Sequence, residues 1–385
     1  MALARKLMAR TTSNDRQSER DARFMDIALM LARRGLGTTA PNPAVGAVIV
    51  DQTSGEVIAR GWTQPSGRPH AETEALRRAG PRARGATMYV TLEPCSHYGG
   101  TPPCADALVE AGLARVVVGI EDPDPRVAGR GLDRLRAAGI SVTRSVRSAE
   151  ADWITRGHIL RVSERRPFIQ LKLALAADGS VPRGKAGQPV WVTGPEARAH
   201  GHLLRAMTDA ILVGRRTVED DDPELTCRLP GLGTRSPLRI VLARDLDISL
   251  ESKLVRTARD VPVIVICRPD ADARRRTAFE KHGFEVIAVR EIDGALWLPS
   301  ITETLAARSV TRLLVEGGPA VWQSFARTGF VDEVIVFQAR GSGTVDPVDR
   351  QPPSALLPGL DLTLTTQRKV GLDDMMIFRR RSRQN

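Results

Sequence analysis

The chain is poor in cysteine, lysine and aromatic rings, and it has no long apolar run. Four cysteines in 385 residues cannot build a disulfide framework, and two of them stand at metal-binding spacing instead. Cys227 and Cys267 read as small buried hydrophobes. No apolar stretch reaches the roughly 18 residues that a membrane-spanning helix needs, so no membrane partner is expected. The first ten residues, Met1 to Arg10, lack the apolar core of a secretion signal, and the expected location is therefore the cytoplasm. Of the 56 basic residues only six are lysines and 50 are arginines, scattered between carboxylates through both halves. A net charge of +11 suits a phosphate backbone, but the basic stripe with interleaved aromatics that binds nucleic acid is missing, so none is expected as partner. The one basic cluster, Arg379-Arg380-Arg381-Ser382-Arg383, reads as a solvated tail.

At 385 residues the chain exceeds one comfortable core, and two domains are expected. Residues 1–20 are polar and aperiodic and read as a flexible leader. A helix is predicted from Asp21 to Arg34, with Ser18 and Asp21 as a capping box. Val45–Val50 and Val57–Trp62 read as a hairpin, His70 opens a helix through Ala79, and Thr87–Leu92 and Arg115–Ile120 read as strands. The first domain is placed at 21–147, a linker at 148–164 and a second domain at 165–385. In the second domain the apolar runs Phe168–Ala174, Ala210–Gly214, Leu238–Leu242, Val261–Cys267, Glu285–Val289, Arg312–Glu316 and Glu333–Gln338 alternate with helical segments. That pattern predicts a mostly parallel, doubly wound α/β sheet.

Chemistry concentrates in His70-Ala71-Glu72 and in Pro94-Cys95, which match the zinc-deaminase signature of a His-x-Glu followed by a Pro-Cys and a second cysteine. His70, Cys95 and Cys104 are the candidate zinc ligands. Three protein ligands leave a fourth position for water, and Glu72 is the candidate proton shuttle. The cysteines are separated by eight residues, Ser-His-Tyr-Gly-Gly-Thr-Pro-Pro, rather than the usual two. The second half lacks a Gly-x-Gly-x-x-Gly fingerprint after any predicted strand. What it has is Leu314-Val315-Glu316-Gly317-Gly318-Pro319-Ala320, a strand running into glycines at a helix start. Backbone N–H groups there either receive a phosphate or merely close a tight turn.

The spacer of the cysteine loop resembles that of the bifunctional riboflavin-biosynthesis deaminase/reductase (RibD) family. The second half is similar to the family's reductase in Leu171-Lys172-Leu173-Ala174, Trp191-Val192-Thr193, Ile211–Gly214 with Thr217, Asp221–Arg228 and Glu316-Gly317-Gly318. The resemblance implies a cytidine-deaminase-like αβα domain followed by a dihydrofolate-reductase-like domain that uses NADPH. It implies deamination of a phosphorylated ribosylamino-pyrimidine and then reduction of its ribose, in a homo-oligomer. Asn42, between Pro41 and Pro43, would contact substrate, and His97 would contact substrate or orient the loop. Gly100 and Thr63 stand where the family carries a basic residue and commonly a histidine.

In the second half the same resemblance assigns Arg205 and Arg228 to a substrate phosphate, and Asp221, as catalytic acid, to the sugar. Leu225 and Glu316 would also meet substrate. Lys172, Ala174, Trp191 and Thr193 would meet the cofactor, as would Gly214, Thr217, Gly317 and Gly318. Asp221 lies within Glu219-Asp220-Asp221-Asp222, which leaves the register of the acid open. Pro189 and Val190 depart from the polar residues of the family. Two other readings stand beside this one: a nucleoside or nucleic-acid deaminase with an unrelated C-terminal module, and a zinc-stabilised binding protein, against which the retained Glu72 argues.

Overall fold

The computed structural model describes residues 2–98, 100, 102–124, 128–182, 190–340, 357 and 359–381, the first thirteen of these by backbone only. Gly99, Thr101, Pro189, Ser382 and Arg383 lie outside the described residues. The chain divides into two units, Met1–Glu164 and Arg165–Asn385.

In the first unit, β1 (Gly46–Val50), β2 (Val57–Trp62), β3 (Thr87–Leu92), β4 (Arg115–Ile120) and β5 (Ser141–Thr143) form one sheet in the order β2-β1-β3-β4-β5. β1 is antiparallel to β2 and β3, and β3, β4 and β5 run parallel. β1 and β3 are buried along their whole length, as continuous apolar runs covered on both faces should be. Helices α1 (Ala2–Arg33), α2 (Ala71–Ala79), α3 (Cys104–Glu110), α4 (Arg130–Ala137) and α5 (Ser148–Ser163) complete the unit. A Cβ on Gly61 would come within 2.2 Å of the Ala71 carbonyl oxygen. Only glycine in β2 therefore lets α2 lie this close to the sheet, and that seating fixes His70 at the helix start.

Three expectations fail here. Residues 2–20 of the expected leader belong to α1, and Asp21 does not cap a helix: it sits mid-helix, 4% exposed. Tyr89 Oη donates to Asp21 at 2.8 Å, and the Arg115 guanidinium donates to both its oxygens at 2.9 and 2.6 Å. The linker expected at 148–164 is α5, which buries Ala151, Ile154, Thr155, Gly157 and Leu160.

The second unit contains β6 (Phe168–Leu175), α6 (Pro195–Ala206), β7 (Ala210–Gly214), α7 (Arg215–Asp221), β8 (Leu238–Leu242), α8 (Lys253–Arg256), β9 (Val263–Cys267), α9 (Ala273–Lys281) and β10 (Phe284–Ala288). A small hairpin, β11 (Glu291–Ile292) with β12 (Ala295–Leu296), precedes α10 (Leu298–Ala307). β13 (Arg312–Val315), α11 (Pro319–Thr328), β14 (Val331–Ala339), β15 (Leu362–Val370) and β16 (Asp373–Arg380) follow. The main sheet has the order β10-β9-β8-β7-β13-β6-β14-β16-β15. It is parallel from β10 to β14, whereas β16 is antiparallel to both its neighbours.

β9 starts at Val263 rather than Val261; Pro262 has no N–H to give a ladder. The basic cluster is not a solvated tail throughout, because Arg379 and Arg380 are strand residues of β16. Arg379 Nε donates to Glu333 at 3.1 Å, and Arg380 donates to the Gly329 carbonyl. After β6 the chain moves to β7 and outward to β10, then returns to insert β13 between β6 and β7. The strand order reverses at that point, and the carboxyl ends of these strands open a crevice there.

Candidate functional site

His70 is the residue before α2, Cys104 is the first residue of α3, and Cys95 lies in the loop leaving β3. Their ligand atoms lie within 4.8 Å of one another. His70 Nδ1 is 3.3 Å from Cys104 Sγ and 3.8 Å from Cys95 Sγ. Zn–N and Zn–S bonds in a tetrahedron place such atoms about 3.5–3.8 Å apart, so the donors fit zinc. This is the one such ligand group among the described residues.

A hydrogen bond joins the two thiols. A hydrogen bond from Cys104 holds Cys95 down at about 4 against burial, while that same bond and burial push Cys104 up. A dication takes the place of the proton in that bond. The backbone N–H of Cys104 donates to Cys95 Sγ at 3.3 Å, fixing one ligand from the other. Glu72, 4% exposed, stands in the first turn of α2, and burial raises its carboxyl while His70 opposes.

Glu93, two residues before Cys95, has a role that the sequence motif does not disclose. Its buried carboxylate accepts the N–H groups of Asp122 (3.2 Å), Gly129 (3.0 Å), Gly131 (2.9 Å) and Leu132 (3.4 Å). It therefore ties the cysteine loop to the start of α4. A Cβ on Gly131 would meet the Pro94 carbonyl oxygen at 2.1 Å, so the helix touches that loop directly.

Asn42 spends one amide hydrogen on the Gly67 carbonyl at 2.9 Å, within the loop leading to His70. His97 is exposed. Thr63 is buried, its hydroxyl bonded to Val45 N at 3.0 Å, so it closes the strand pair rather than facing a ligand.

In the second unit every candidate residue lines one cavity of about 760 Å³, a size typical of cofactor and ligand sites. Lys172 and Ala174 come from β6, Gly214 from the end of β7, and Glu316, Gly317 and Gly318 from the turn after β13. Thr193, Thr217, Leu225 and Arg228 complete the wall with Trp191, which is 64% exposed and stacked under Arg198 at 4.8 Å.

Arg205 differs from the freely offered phosphate cation expected of it. Its Nε and Nη2 donate to Glu316 at 2.9 Å each, and Nη1 donates to the Thr226 carbonyl at 3.0 Å. Burial raises the Glu316 carboxyl, but Arg205, its hydrogen bonds and Lys172 outweigh that and hold it at about 2. Burial lowers the Lys172 ammonium, with Arg205 adding and Glu316 opposing.

The acidic run also sorts itself. Glu219 pairs with Arg215, and Asp222 accepts the Lys253 N–H at 2.7 Å. Asp221 is raised by burial and by Asp220. A Cβ on Gly317 would lie 2.8 Å from Val321, so its smallness serves packing, whereas Gly318 at the head of α11 faces open space. His202, which the sequence does not single out, lines the cavity with Nδ1 3.1 Å from the Thr226 carbonyl and 3.3 Å from the Arg228 N–H.

Two family models match the chain: the cytidine and deoxycytidylate deaminase zinc-binding region over residues 18–120, and the RibD C-terminal domain over 167–340. The chain is 40% identical over 330 residues to the riboflavin biosynthesis protein RibD of Escherichia coli, covering 83% of this chain and 87% of that one. To RibD of Aquifex aeolicus it is 39% identical over 321 residues, with the same shares. The solved structure of Acinetobacter baumannii RibD superposes with a TM-score of 0.78 at 31% identity, over 94% of this chain and 99% of that one. A Thermotoga maritima diaminohydroxyphosphoribosylaminopyrimidine deaminase/5-amino-6-(5-phosphoribosylamino)uracil reductase gives 0.78 at 32%, with equal coverage.

Proposed function

Since the chain belongs to the RibD family of riboflavin biosynthesis, a bifunctional deaminase and reductase, we propose that it deaminates 2,5-diamino-6-(5-phosphoribosylamino)pyrimidin-4-one and then reduces the ribosyl group of the product to a ribityl chain. The observation that carries the first step is the three-donor site of His70, Cys95 and Cys104 with Glu72 buried beside it. Three donors leave one tetrahedral position open, which a purely structural zinc site does not.

Zinc bound there supplies Lewis acidity that makes water nucleophilic near neutral pH. Glu72 takes one proton from the water and delivers it to the ring nitrogen, then takes the remaining hydroxyl proton and passes it to the amine as the C–N bond breaks and ammonia leaves. Asn42, with one amide hydrogen committed to Gly67, offers its remaining donor and its oxygen to the pyrimidine edge. His97, exposed on the cysteine loop, contacts the same substrate or orients that loop.

For the second step NADPH, the cofactor of the reductase domain, supplies hydride. Lys172, Ala174, Trp191, Thr193, Gly214 and Thr217 hold it, and the open space at Gly318 admits a phosphate to the head of α11. Gly317 keeps Val321 close beneath that turn. The Arg205–Glu316 pair and Leu225 shape the sugar site, Arg228 takes the substrate phosphate, and Asp221, raised by burial, moves the proton that accompanies hydride.

The partner is a small phosphorylated pyrimidine, and no helix among the described residues is long and apolar enough to cross a membrane. We place the protein in the cytoplasm as a homo-oligomer, with the deaminase domain in the unit Met1–Glu164 and the reductase domain at 165–385. The test supplies zinc-loaded protein with the diamino-pyrimidine and NADPH and follows ammonia and nicotinamide absorbance together. Ammonia release followed by NADPH oxidation is expected; neither signal appearing would sink the reading.

A further inference from the structure

The deaminase step proposed above, on which this inference rests, brings a phosphate monoester of charge about −1.5 to −2 to the zinc site. Such a group calls for a cation at the mouth of the pocket, and arginine suits it best, because its planar fork meets phosphate oxygens two at a time. In the surrounding helices Arg77 and Arg78 of α2 turn to Glu74, and Arg134 of α4 turns to Asp106 of α3.

Arg68 lies on the segment that leads into His70. It is exposed, two residues before the ligand His70, and its guanidinium lies over the cysteine loop at Gly100. A Cβ on Gly100 would be 3.7 Å from both Nε and Cζ of Arg68. Any long side chain at position 100 would thus share the space the guanidinium holds. The backbone beneath Arg68 is fixed on three sides: Asn42 holds the Gly67 carbonyl at 2.9 Å, Ser66 N donates to the Thr38 carbonyl at 2.8 Å, and Gln64 N donates to the Pro69 carbonyl at 3.1 Å. One of these struts is Asn42, itself placed on the pyrimidine. The segment that orients the ring therefore also orients the arginine, and a phosphate tethered to that ring through ribose meets a preset cation.

We infer that Arg68 binds the phosphate of the deaminase substrate, from the space above Gly100 between the two ligand-bearing segments of the zinc site. The glycine is part of the device, because it leaves that space to an arginine arriving from the other segment.

The experiment uses the full-length zinc-loaded protein and compares kcat/KM for ammonia release on the phosphorylated pyrimidine and on its phosphate-free riboside. Arg68→Gln removes the charge-assisted hydrogen bonds to phosphate. It should lower kcat/KM on the phosphorylated substrate by about 10- to 100-fold, chiefly through KM, with no comparable fall on the riboside. Adding Gly100→Arg to that variant, which returns a cation to the same space, should restore most of the activity. Equal falls on both substrates, or no fall on either, would overturn the assignment of Arg68. Absence of ammonia release from the unaltered protein would instead remove the deaminase reading itself.

Discussion

Replacing Glu93 by glutamine should disable the deaminase without touching the reductase. Each carboxylate oxygen of Glu93 accepts two backbone N–H groups, Asp122 and Gly129 on one, Gly131 and Leu132 on the other. Whichever way a glutamine amide is turned, its NH₂ faces two donors. Two buried N–H groups are then left without an acceptor, at about 1–3 kcal/mol each, or roughly 2–6 kcal/mol together. The start of α4 loses its negative charge as well. A domain of this size has only about 5–15 kcal/mol to lose, and the strain falls on the loop that carries Cys95.

The assay measures zinc content, ammonia release and the thermal transition of Glu93→Gln. NADPH oxidation on pre-deaminated substrate serves as the internal reference. Zinc content and ammonia release should fall together while the reductase rate holds. A variant that keeps both within about twofold and melts within about one degree of the parent would refute the reasoning, since two orphaned donors cannot cost so little.

Three further substitutions test separate links. Glu72→Gln should keep zinc and lower kcat for ammonia release about 10²- to 10⁴-fold; an unchanged rate with full zinc would exclude Glu72 as the shuttle. Asp21→Asn breaks the buried pair with Arg115 and should cost about 3–5 kcal/mol. Burial would raise the Asp21 carboxyl, but Arg115 and Tyr89 outweigh it and the net shift is downward. The stabilisation is therefore present above the unfolded value of about 4 and fades as pH falls toward the native one. Acid melting curves of the variant should accordingly be flatter below about pH 4. Glu316→Gln strips the carboxylate from both Arg205 and Lys172 and should abolish NADPH oxidation while ammonia release persists; equal loss of both activities would argue against two separate sites.

Strands covered on both faces are legible in the sequence, because a run such as Thr87–Leu92 or Val116–Val118 carries no charged residue and is bounded by turn or charged segments. The antiparallel edge is not. β15 and β16 carry threonines, arginines and lysines on half-exposed faces, and nothing local separates such a strand from a polar tail. α5 reads as a linker for a similar reason. Trp153, Ile154, Ile159, Leu160 and Val162 are spread round its circumference among charged residues, so no apolar stripe marks a helix. At the N-terminus, Ser18 and Asp21 have the spacing of a capping box, but Asp21 answers to Arg115, 94 residues away.

The same difference in range separates the two sites. A zinc ligand is restricted by chemistry to a few residue types, so His70, Cys95 and Cys104 declare themselves wherever the fold brings them together. A charged side chain has no such restriction, and its role depends on which partner arrives. Arg205 reads as a phosphate cation until Glu316, 111 positions later, takes two of its donors. Arg68 has nothing to mark it in the sequence; the fold brings its guanidinium over Gly100. In this chain, with 50 arginines among 385 residues, composition alone does not distinguish a binding arginine from a structural one. Position decides it: arginines seated against buried Asp21, Glu316 or Glu333 serve the fold, whereas the Arg68 guanidinium lies over the cysteine loop of the metal-ligand site, above a glycine that yields it the room.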